Sequence, residues 1–134
     1  MAIKRSELRE KCMVILYQTE IMKKNNISYD LDAIMEDNVL IESEFVKEIV
    51  YGVTTHDEEI TEIANKYLIN WDISRLDATG RAILKMGIYE LLYTDTPQIV
   101  TINEAINLAK QYSDNDVRKM INGVLDKVMK ENER

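Results

Sequence analysis

A single proline, Pro97, and four isolated glycines, Gly52, Gly80, Gly87 and Gly123, are all the strong turn formers this chain of 134 residues contains. A β-rich fold needs many more of them. Apolar residues instead recur every three or four positions, the period of an amphipathic helix. The chain is rich in Ile, Leu, Lys, Glu, Ala and Met, which suit helices. The expectation is an all-α fold of about six or seven helices, in two small bundles packed around the first helix.

The first helix is predicted from about Ser6 to Lys24, with Leu8, Cys12, Ile15, Leu16 and Thr19 on one buried stripe. Met13, Val14, Tyr17 and Ile21 widen its apolar surface, as suits a sandwiched helix or one that meets a partner. A short helix follows from the N-cap Asp30 to about Asp37. Residues 43–69 form one long pattern capped by Ser43, with Gly52 inside it to bend the helix or admit a neighbour. The "INWDIS" segment breaks the pattern and divides the chain into subdomains 1–70 and 71–134. Ser74 is expected to cap a short turn, and a helix then runs from about Ala78 to Tyr93, ending before Pro97. "TINE", Thr101–Glu104, reads as a capping box for the next helix, which runs to about Tyr112.

The last helix is expected from about Asp114 to Lys130. It contains Asn122-Gly123, a pair that often makes a hairpin turn. Val117, Met120, Ile121, Val124, Leu125 and Val128 keep the helical period straight through that pair, so the helix continues. Gly123 costs it about 1 kcal/mol relative to Ala. Close approach of another backbone, or of a ligand that a Cβ would block, is the expected compensation.

The residues offer little chemistry. His56, the only histidine, sits on an apolar stripe, and Cys12, the only cysteine, on the buried stripe of the first helix. Neither has a catalytic neighbour in sequence. One cysteine excludes an internal disulfide and fits a reducing, cytoplasmic compartment. No phosphate-cradling loop or metal-ligand spacing is present, so an enzyme, a cofactor and a metal site are all disfavoured. No apolar run has the length of a membrane span.

The net charge of −7 is unevenly spread. Lys4, Arg5, Arg9, Lys11, Lys23 and Lys24 outweigh Glu7, Glu10 and Glu20, giving residues 1–24 a net charge of +3 and the remainder −10. A basic N-terminal segment on an acidic body suits a polyanion at one end and a basic partner elsewhere.

Three segments carry a resemblance. "REKCMVILYQTE" (9–20), "RAILKMGIYELLYTDTPQIVTINEAINLAKQY" (81–112) and "RKMINGVLDKV" (118–128) resemble, in order and spacing, segments of the NusB transcription antitermination family. Residues 25–70 add only compatible length. The resemblance implies a non-catalytic RNA-binding adaptor. Its RNA would be the boxA element of ribosomal RNA transcripts. Its partners would be the ribosomal protein NusE and, with other Nus factors, the RNA polymerase elongation complex. By position, Arg5 and Arg9 would meet RNA phosphates, supported by Lys4, with Lys119 and Met120 near the RNA. Tyr17 and Asp116 would lie on the face used by NusE.

The chain departs from the family pattern in places. Ser6 and Glu7 thin the basic motif, and Met120 replaces an aromatic whose stacking is worth about 1–3 kcal/mol per base. RNA affinity is therefore expected to be weak without the protein partner. Two other readings stand beside this one. NusB-like modules also target ribosomal RNA cytosine methyltransferases to their substrate, but no glycine-rich cofactor segment or catalytic cysteine region follows before Arg134. A purely structural helical oligomer is the other, and the choice between monomer and homodimer stays open.

Overall fold

The computed structural model describes residues 4–39 and 43–132. Among these the chain forms seven α-helices: α1 (Arg5–Lys24), α2 (Leu31–Asn38), α3 (Glu44–Thr55), α4 (Asp57–Tyr67), α5 (Ala78–Tyr93), α6 (Gln98–Tyr112) and α7 (Asn115–Glu131). A single 3-10 turn, Ile73–Arg75, precedes α5.

Short acidic and hydroxyl side chains start several of these helices by accepting an otherwise unpaired backbone N–H. Asp30 accepts from Asp32 N, Ser43 from Val46 N, Asp77 from Gly80 N and Asp114 from Val117 N. The 3-10 turn is capped by Asp72, which accepts from Ser74 N, and not by Ser74 itself.

Helix α5 is the hub. It packs against α1, α3, α4, α6 and α7, whereas α1 packs against α2, α3 and α5. Helix α1 thus joins elements of both halves of the chain, and α5 is enclosed by still more of them. Ala82, Ile83, Leu84, Met86, Ile88 and Leu91 of α5 are all buried, so this helix is enclosed on nearly every side. Its apolar run is what permits that position. The predicted stripe of α1, from Leu8 to Thr19, is buried throughout.

Two expected features are corrected. The 43–69 pattern is two helices, not one, because the backbone leaves helical geometry at His56. Gly52 lies within α3 and does not cause the break; a Cβ there would collide with the ring of Tyr89 on α5. The glycine thus admits the neighbouring helix, as one of the two alternatives anticipated. The capping box at Thr101–Glu104 does not form. Helix α6 starts a turn earlier, where the carbonyl of Pro97 accepts from Val100 N and Thr101 N. Pro97 is the N-cap residue of that earlier start, and Thr101 becomes an interior, buried residue.

Helix α7 runs unbroken through Asn122-Gly123. The expected close approach of another part of the chain at Gly123 is overturned. Both residues are exposed, and a Cβ at Gly123 would meet nothing within 4 Å.

Candidate nucleic-acid interface

The basic segment forms the start of α1. Lys4 is the N-cap residue, without a capping side-chain bond, and is exposed. Arg5, the first helical residue, is also exposed. Its guanidinium carbon lies 4.3 Å from the ring centroid of Phe45, within the range of a cation–π contact. Phe45 belongs to the first turn of α3 and is half-buried against the core.

Arg9 lies one turn further along α1 and has a different environment. Its guanidinium is 5.2 Å from the same Phe45 centroid. Its Nη2 and Nε donate to the two carboxylate oxygens of Glu90 at 2.7 and 3.0 Å. The two side chains are only 4% and 3% exposed. Burial opposes the charge on Arg9, but the hydrogen bond and charge of Glu90 outweigh it and hold the guanidinium above its ordinary pKa. A side chain buried and engaged in this way is a tie between α1 and α5. The expectation that Arg9 meets RNA phosphates is therefore corrected to a structural role.

A second tie pins the other end of α1, where Arg81 at the start of α5 donates to Glu20. The helices run antiparallel, and the two ion pairs sit at opposite ends of their contact.

The cationic edge has a defined side. Toward α6, a groove beside the first turns of α1 is lined by Glu7, Glu10, Glu104 and Lys110, and Tyr112 donates to Glu10. These carboxylates repel a polyanion. Toward α3, Arg5 faces the Phe45 ring.

The remaining sequence-derived candidates are dispersed. Lys119 and Asp116 are exposed on α7, while Met120 is half-buried and packs against the core. Tyr17 is 41% exposed and borders a groove with Ile21 and Met22 of α1 and Ile34 and Asn38 of α2. The structure brings Arg5 and Arg9 together on Phe45. Phe45 and Glu90 were missed by sequence reasoning. Glu90 had a readable signal, a lone carboxylate in the apolar run Met86–Leu92. Phe45 had none, since its segment carried no recognisable motif.

The other chemistry-bearing residues have structural surroundings. Cys12 is fully buried, and desolvation pushes its thiol up to about 12. His56 stacks on Tyr93 with ring centroids 4.4 Å apart, and its Nδ1 is 3.5 Å from Glu59. No group of three or more potential metal ligands occurs among the described residues. No described helix is long and apolar enough to cross a membrane.

The described residues form an all-helical body, with an arginine over an aromatic ring at one edge, and the class is that of all-α proteins. Comparison with known proteins narrows it. The family model described as "NusB family" matches residues 6–130. Transcription antitermination protein NusB of Staphylococcus aureus (strain JH9) is 41% identical over 128 residues, covering 94% of this chain and 98% of the relative. A crystal form of T. maritima NusB superposes with a TM-score of 0.86 at 31% identity, covering 100% of this chain and 96% of the other. A chain from the crystal structure of antitermination factors NusB and NusE in complex with dsRNA has the same fold. Its TM-score is 0.81 at 24% identity, with 95% and 96% covered.

The chain belongs to the NusB family. It is a transcription antitermination factor and not an enzyme.

Proposed function

We propose that this factor is an RNA-binding adaptor that engages boxA RNA of ribosomal RNA transcripts together with the ribosomal protein NusE. It would act within the RNA polymerase elongation complex alongside other Nus factors, in the cytoplasm. Lys4 and Arg5 would hold RNA phosphates, with Lys119 and Met120 on α7 contributing further contacts. Tyr17 and Asp116 would face NusE, a basic partner for an acidic body. The division at about residue 70 is proposed as a boundary between two helical subdomains. The observation that carries this reading is the exposed Lys4–Arg5 pair on the first turn of α1, in a chain of the NusB family.

Fluorescence anisotropy with labelled boxA RNA tests it. Arg5→Ala and Lys4→Ala are each expected to weaken binding and to flatten its salt dependence, by about 0.7 in the log–log slope per lost phosphate contact on a single strand. Unchanged binding in the double variant would remove these residues from the site. Affinity is expected to rise when NusE is added; equal affinities with and without it would refute the cooperative part of the reading. Sedimentation with and without RNA reports self-association of the chain in the same conditions.

A further inference from the structure

We propose that Phe45 is a positioning residue of the RNA site, holding the Arg5 guanidinium by cation–π stacking so that its in-plane N–H groups face a phosphate. The inference rests on the RNA-binding reading above and extends it to a residue from a different helix, 40 positions away in the chain.

The geometry is the argument. Arg5 is exposed, and among the described residues no carboxylate forms an ion pair with it. Its ordering contact is the Phe45 ring, at 4.3 Å. A ring against one face of a guanidinium leaves the five in-plane N–H donors free, and these match a phosphate in bidentate fashion. The ring itself is held in place. Ser43 caps the start of α3 through Val46 N, and Phe45 packs against the core. The Arg9 guanidinium, locked by Glu90, lies 5.2 Å from the same centroid. The Arg5 guanidinium carbon therefore lies over a fixed surface. An unstacked arginine would lose its rotamer freedom on binding, whereas this one has already given up part of it.

The test is a double-variant cycle on the same boxA RNA. Phe45→Leu keeps an apolar side chain and removes the π face. It is expected to weaken binding about two- to five-fold, the energy of an exposed cation–π contact expressed as affinity. In an Arg5→Ala background, Phe45→Leu is expected to have no further effect. Phe45→Trp, which offers a stronger π face, is expected to bind at least as tightly as the parent chain.

The outcomes separate. If Arg5→Ala leaves RNA binding unchanged, the RNA-site reading fails and the role of Phe45 fails with it. If Arg5→Ala weakens binding but the Phe45→Leu effect adds in full, only the positioning role is overturned. Should Phe45→Leu not fold, the Arg5 side-chain N–H resonance of the parent chain decides. An upfield ring-current shift that changes on adding RNA supports the proposal, and a random-coil position overturns it.

Discussion

Arg9 and Glu90, 81 residues apart in sequence, form a buried bidentate ion pair that joins α1 to the central helix. A pair of this kind contributes little over a well-packed apolar replacement, but removing one partner strands the other charge in a dry interior. Glu90→Ala is therefore expected to cost about 3–5 kcal/mol. Arg9→Met with Glu90→Leu should recover most of that loss. Urea unfolding of the single and double variants measures both. Strict additivity of the two single losses would show that the pair is not the cause.

The glycines on α3 and α7 should respond in opposite directions. At Gly52 a Cβ collides with the Tyr89 ring, which is buried and stacked on Tyr93 with 5.2 Å between centroids. Gly52→Ala is expected to destabilise by about 1–3 kcal/mol through overpacking. Gly123 faces open space, so Gly123→Ala should stabilise by up to about 1 kcal/mol through helix propensity. Thermal melts of the two variants should move to opposite sides of the parent chain.

Cys12 should be chemically silent in the native state. Desolvation, with Glu90 adding to it, pushes its thiol up to about 12. Little thiolate exists at neutral pH, and reagents have no access to the buried sulfur. Labelling by a disulfide reagent at pH 8 is expected to proceed at the rate of unfolding and to accelerate with urea. Rapid labelling without denaturant would contradict the buried position.

Tyr93 supplies an alkaline signature. Its hydroxyl donates to Glu59, and that bond, with desolvation, pushes its pKa up to about 12. An unfolded tyrosine ionises at about 10. Between these values the folded chain retains a proton that the unfolded chain releases, so stability falls as pH rises through this window. Below about pH 10 both states are protonated and the group adds no pH dependence. Tyrosinate absorbance should show Glu59→Gln lowering the Tyr93 transition, and no change in that variant would refute the assignment.

Much of the fold was legible because single-helix periodicity carries it. The stripe from Leu8 to Thr19, the span of α5 and the run of α7 through Asn122-Gly123 needed only spacing. The break at His56 was not legible, since Val53, His56, Ile60 and Ile63 stay in step across it. At α6 the Thr–Glu box marked a start that lies inside the helix, one turn after its first residue Gln98. The site was less legible. Arg9 lies beside Leu8 and one turn from Cys12, a register that marks burial, yet its charge pointed outward. Phe45 reaches Arg5 only through the packing of α3 on α1, and no pattern within either helix records that contact.

Helix ends ordinarily fray, and a flexible segment that binds must be ordered at that moment. Here the Arg9–Glu90 tie lies a single turn behind Arg5. It anchors the start of α1 to the most enclosed helix in the molecule before any partner arrives. The entropy of ordering this turn is settled during folding, so a weakly charged edge can still contribute usefully to an assembly.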